Sequence, residues 1–269
     1  MGIRQRHRPD RPRVLGDYRA RRASGATVPP APAPARTLAE EAAVVLSLSL
    51  LASAVFAIIS LATAPVRGVT VAAASQEPVL AQQLAQLVFG LAPVWLVVYL
   101  VRRNGEGVSA IGLSWDRPRE DILRGVALFI VVGLGGIGVY LGAVAAGVNR
   151  FVVPAPPLGH WWTVPVIFLN AAVAALLEET IVVGYLITRL RQLHWTPLAA
   201  VGASALLRAC YHLYQGWGGF LGNLAMGALF GVVFVRTRRT WPLVVAHFLL
   251  DVGAALAYIA FREHLPGFG

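Results

Sequence analysis

Seven apolar runs follow one another along this chain, and they constrain its fold more than any other feature. They are Ala42 to Val66, Leu80 to Val101, Ile122 to Val148, Val164 to Leu190, Pro197 to Tyr214, Phe220 to Val235 and Trp241 to Phe261. A bilayer core about 30 Å thick is crossed by roughly 20 apolar residues in a helix. Lipid offers backbone groups no partner outside a helix or a closed barrel, and the alternation a barrel requires is absent. The composition agrees, with 57% hydrophobic and 13% charged residues and a mean hydropathy of +0.65. The expected fold is an all-α, polytopic transmembrane bundle of seven or eight spans, because the sixth run is short and the third is rich in glycine. That transmembrane domain is expected over residues 42–269. Residues 1–41, with nine arginines and a Pro/Ala stretch from Pro29 to Pro34, read as a disordered basic tail held near anionic lipid.

The formal net charge is +10 and every basic residue is an arginine. These arginines sit between apolar runs and do not interleave with aromatics on a soluble surface, so nucleic acid is excluded as a partner. They are concentrated in the tail, in 102–124, in 189–194 and in 236–239, while 67–79, 149–163 and 215–219 hold almost none. The positive-inside rule then gives a multi-pass protein of the cell membrane with a cytoplasmic N-terminus. Tryptophans 161, 162, 195, 217 and 241 fall at run ends, as interfacial anchors do. Gly227 and Gly231, and the glycines between Gly133 and Gly142, have the spacing of close helix packing. Cys210 is the single cysteine, which removes any intramolecular disulfide or cysteine metal cluster.

Ionisable side chains inside spans cost a few kcal/mol each and require a reason. Glu178 and Glu179 lie mid-way along the fourth run. Arg208 and His212 are four residues apart on the fifth, and His247 and Asp251 are four apart on the seventh, so each pair shares a helix face. A single such group can be a packing residue, but this set is accommodated only if three helices turn these faces toward one shared polar cavity. A carboxylate in such a cavity can take a proton from water, a histidine can pass it on, and an aspartate one turn from a histidine fixes the ring's tautomer. A cysteine nucleophile is disfavoured because Cys210 and His212, two residues apart, point to different faces.

Glu178-Glu179, then His212 in Tyr-His-Leu-Tyr-Gln-Gly, then His247-Phe-Leu-Leu-Asp251, each on its own helix, resemble the CAAX-protease and bacteriocin-processing (Abi) family of intramembrane endopeptidases. Together with Ile111-Gly-Leu-Ser-Trp-Asp, the resemblance spans about 111–261. It implies an enzyme that cleaves a peptide or membrane-protein substrate at or near the membrane surface, on the cytoplasmic side by the arginine count. In the implied roles Glu178 activates water with His212, while His247 and Asp251 bind the oxyanion. In the metallopeptidase description of the family, Glu178, His212, His247 and Asp251 are the candidate ligands of a metal such as zinc. The sequence does not decide between a glutamate-type and a metal-dependent mechanism.

The family pattern departs at two places. Val183 stands where an arginine follows Glu-Glu, and Arg208 stands where a phenylalanine precedes the first histidine. The physical expectation is that Arg208 reaches Glu179 from the neighbouring helix, so the charge pairing survives while the supporting positions are exchanged. A catalytically inactive scaffold or immunity-type binding protein is the alternative function. A transporter is a weaker one, since no repeat symmetry is present and every ionisable group lies in the second half.

Overall fold

The computed structural model describes residues 33–63, 69–71, 80–147, 151–153 and 160–261. The expected tail lies outside the described residues as far as Pro32. The helices are α1 (Ala35–Ser47), α2 (Leu50–Thr63), α3 (Leu80–Gly90), α4 (Ala92–Arg103), α5 (Pro118–Ala145), α6 (Thr163–Glu178), α7 (Leu186–Gln192), α8 (Pro197–Tyr211), α9 (Trp217–Thr237) and α10 (Trp241–Phe261). A π-helical segment, Glu179–Tyr185, joins α6 to α7 without interrupting the span. The only strands among the described residues are Val69–Val71 (β1) and Phe151–Val153 (β2), which pair in parallel with Val69 opposite Phe151. The molecule is therefore an all-α membrane bundle, as the apolar runs predict.

Among the described residues, five helical stretches are long and apolar enough to cross a membrane: Leu80–Arg103, Pro118–Ala143, Thr163–Gln192, Trp217–Thr237 and Trp241–Phe261. The other two expected runs form shorter apolar helices. The first is divided at Leu48 and Ser49, where the Ser49 hydroxyl donates to the Val45 carbonyl at 2.6 Å. Its helix begins at Ala35, upstream of the apolar run, because the buried Glu41 is satisfied by Arg103 at 2.9 Å and Asn104 at 2.8 Å. The fifth run ends as a regular helix at Tyr211, about 22 Å after it begins.

The π segment is the centre of the bundle, and all seven of its residues are buried. Ile181 and Val182 join one apolar cluster with Val45, Val97, Val101 and Tyr211. Val183 joins another with Ile187, Phe230, Phe234 and Leu243. A π turn takes in one residue more than an α turn and disturbs the carbonyl ladder. Here the Ser204 hydroxyl on α8 bonds to the Val182 carbonyl at 2.7 Å. A Cβ on Gly184 would lie 2.6 Å from the Ile111 carbonyl oxygen, so glycine is required for the 108–112 turn to close against the segment. Thr240 ties the same turn to the α9–α10 corner, its hydroxyl bonding to the Ile111 carbonyl at 2.7 Å and its amide to that of Gly112 at 2.9 Å.

The glycine expectations divide. A Cβ on Gly227 would be 3.0 Å from Ala205 Cα, and one on Gly231 would be 2.9 Å from Val201, so α8 and α9 do pack through these positions. Gly135, Gly136, Gly138 and Gly142 instead face open space, because this half of α5 is an outer helix with Leu134, Ile137 and Leu141 exposed. Trp161, Trp195 and Trp217 are exposed as anchors are, whereas Trp162 is buried and stacked on His160.

Candidate active site

Arg208 lies in the last turn of α8 and is completely buried. Its Nη2 donates to Glu179 Oε1, and Glu179 is completely buried as well. The guanidinium lies 5.7 Å from the centroid of the Phe230 ring, in the apolar cluster that contains Val183. The pairing across helices that the exchanged positions suggest is therefore present in the geometry.

Glu179 Oε1 also accepts from His247 Nδ1 at 2.7 Å, which links α10 to the π segment. The other nitrogen of that ring, Nε2, faces Asp251 Oδ2 at 3.5 Å. Glu178 has partners of its own. The Tyr211 hydroxyl donates to its Oε2 at 2.6 Å, and Arg208 Nη1 lies 3.8 Å from the same oxygen. Tyr211 is the site residue that sequence reasoning missed. An aromatic residue in an apolar helix reads as packing, and the available clue is its position three residues after Arg208 and next to His212.

His212 caps α8, with φ −97° and ψ 3°. Its Nδ1 is 3.0 Å from the Arg208 carbonyl, one of the acceptors a helix C-terminus leaves open. A carbonyl accepts only, so Nδ1 carries the proton and Nε2 is the free lone pair of the neutral ring. The ring lies beside Tyr211, with centroids 4.7 Å apart. Glu178, Glu179, Arg208, His247 and Asp251 thus form one chain of polar contacts, and His212 joins it through the Arg208 backbone and Tyr211.

The sequence alone leaves a difference in level between the histidines, since His247 is only about 9 Å from the start of its helix and His212 more than 20 Å from the start of its own. Thr240 packs against Gly184, about 12 Å along the span from Gln192, so α10 starts beside the π segment and carries His247 to the height of Glu179.

Several buried polar atoms in the site have no hydrogen-bond partner: Glu179 Oε2, Arg208 Nε and Arg208 Nη1. The donor set does not fit a bound metal as it is arranged. The two nitrogens of His247 are turned to the carboxylates of Glu179 and Asp251, His212 Nδ1 is turned to a carbonyl, and no group of three His, Cys, Asp or Glu able to hold a metal ion occurs among the described residues.

No curated protein and no solved structure is detectably similar to the chain. Residues 160–253, which contain each of these site residues, match the family described as type II CAAX prenyl endopeptidase Rce1-like, in agreement with the resemblance carried by the Glu-Glu, His and His-x-x-x-Asp order.

Proposed function

We propose that the protein is an intramembrane endopeptidase in which Glu178 activates the attacking water. The observation that carries this reading is the division of labour between adjacent carboxylates. Glu179 is committed to Arg208 and His247 and is sealed from solvent, whereas the Glu178 side chain keeps 15% exposure. The hydrogen bond from Tyr211 and the Arg208 contact both use Oε2 of Glu178, which leaves Oε1 for a water. Two neighbouring carboxylates in different surroundings are a common way to separate a base from a structural anion.

The remaining groups fill the other roles of peptide hydrolysis. Water attacks the scissile carbonyl as Glu178 takes its proton, and the tetrahedral oxyanion forms next to His247. When the ring carries both protons, Nδ1–H stays bonded to Glu179 while Nε2–H, 3.5 Å from Asp251, turns to the oxyanion. Asp251 and Glu179 hold the ring in place. The free Nε2 of His212 relays the proton from Glu178 to the leaving amine. Arg208 acts through Glu179 and is a positioning residue.

The test is hydrolysis of a membrane-proximal peptide by purified protein in lipid. Glu178→Gln and His212→Ala are expected to lower turnover by about 10² to 10⁴ while the protein stays inserted and folded. If both variants unfold or fail to insert, the residues are structural and the non-enzymatic scaffold is the better reading.

A further inference from the structure

Burial along the bundle changes in one direction. Each residue from Glu179 to Arg189 is buried, whereas the other half of that span, Thr163–Glu178, buries only one side. In α9 the buried residues other than Gly218 lie in the later half, at Gly227, Phe230, Gly231 and Phe234. In α10 most of them lie in the first half, from Pro242 to His247, with Val252 and Ala255 beyond it. These three tight halves share the end that carries the arginine-rich turns. That end is also capped, with the 108–112 turn closed on Gly184 and Thr240, and with Arg239 bound to Asp121 and Asp116 beneath it. A peptide approaching from this side would have to displace packed backbone.

The opposite end of the site differs. Helix α8 stops at Tyr211, short of a full crossing, and the chain reverses through Leu213–Gln215 and Gly216 at φ 91°. The groups around the reversal are polar and partly exposed. Gln215 donates to the Tyr214 hydroxyl at 3.1 Å, Asn223 donates to the Gly219 carbonyl at 2.9 Å, and the Asp251 side chain is 41% exposed. Polar side chains at this depth are tolerated where they line a water-filled cavity and are costly against hydrocarbon.

We propose that substrate reaches Glu178 from this polar end, away from the arginine-rich turns. By the positive-inside rule that end faces outward, so the substrate is an extended peptide segment of an exported or membrane-anchored protein just outside the membrane. This reverses the cytoplasmic approach that the sequence suggests. What is cleaved rests on the endopeptidase reading; where water enters does not.

The test uses single cysteines in a Cys210→Ala background, at Asn223→Cys and Gln215→Cys on the polar end and Ser109→Cys on the capped end, with a membrane-impermeant maleimide on intact cells. The polar-end cysteines are expected to react in intact cells, and Ser109→Cys only after permeabilisation. The opposite pattern, or no reaction at both polar-end positions under either condition, overturns the proposal. A parallel measurement places the protein in vesicles sorted by orientation, with a membrane-proximal peptide added outside. Cleavage is expected only when the Asn223 end faces the added peptide, and cleavage from the Ser109 side overturns the access route. The expected labelling without cleavage from either side overturns the substrate assignment and the endopeptidase reading, while the water path stands.

Discussion

Two buried arginines, Arg239 and Arg208, are held by carboxylates distant in sequence, yet their surroundings differ. Arg239 is saturated: Nε and Nη2 reach the two oxygens of Asp121 at 2.5 and 2.6 Å, Nη1 reaches Asp116 at 2.9 Å, and Nη2 also reaches the Ser114 carbonyl at 3.2 Å. Arg208 bonds to Glu179 through Nη2 alone, and its Nε and Nη1 and Glu179 Oε2 have no hydrogen-bond partner. A saturated ion cluster fixes one geometry and serves the fold. A buried cluster with unused donors and acceptors has room for a further polar partner such as water.

The comparison breaks most visibly at Arg208. Removing one partner of a buried pair leaves an uncompensated charge and costs about 3–5 kcal/mol. Arg208→Leu is expected to lower the unfolding temperature in detergent and also to remove peptide hydrolysis from the molecules that remain folded. The double variant Arg208→Phe with Val183→Arg moves the guanidinium to the helix that carries Glu179, and part of the activity is expected to return. Full activity in the single variant would make Arg208 a cavity-lining residue. A dead single variant with a dead double would keep its importance but remove the compensation.

Tyr211→Phe sharpens the contrast, because it removes one hydrogen bond to a charged group and almost no volume. Such a bond contributes about 1.5–3 kcal/mol, equivalent to roughly 10- to 100-fold in rate if it is used in the transition state. Turnover is expected to fall by that factor with little change in unfolding temperature. An unchanged pH–rate profile and turnover would show that Tyr211 only packs.

Arg239→Leu is the counterpart of the Arg208 change. It strands the buried Asp121, so a similar loss of about 3–5 kcal/mol is expected in thermal unfolding. Activity per folded molecule is expected to survive at a temperature where the variant is still folded. Loss of activity at full occupancy of the fold would place Arg239 in the catalytic machinery and erase the distinction.

The smallest effect is expected at Asp116. The hydrogen bond from Arg239 holds its carboxyl below the ordinary carboxylate range. A depressed folded-state value stabilises the protein above the unfolded value of about 3.9, and the contribution is lost as pH falls through the folded value. Wild type is therefore expected to exceed Asp116→Asn slightly in unfolding temperature at pH 6, with the gap closing below about pH 4. Because Asp116 is well exposed, an equal gap at every pH would mean the contact acts through packing rather than charge.

Much of the site is legible in the residues. Ionisable groups in an apolar run are expensive, so their presence marks the cavity, and four-residue spacing puts His247 and Asp251 on one face. The missing arginine near Glu179 and the added one at Arg208 point to a pairing between helices, because a lone buried charge is costly wherever it sits. Tyr211 was not legible, since a phenol in an apolar helix looks the same whether its hydroxyl is used or idle. The four outward-facing glycines of α5 were misread for a related reason, as spacing gives the face of a helix but not what lies opposite.

The sequence by itself determined the solvent, the order of the apolar runs and the polar residues that must find one another, because transfer into lipid penalises any other arrangement. Tertiary structure decided their heights and exposures. The π segment exists where Gly184 admits the Ile111 carbonyl and Thr240, and that contact raises the start of α10 until His247 meets Glu179. These choices depend on close approaches between residues about 50 to 130 positions apart, where a few tenths of an ångström of packing decide and no local pattern records the outcome.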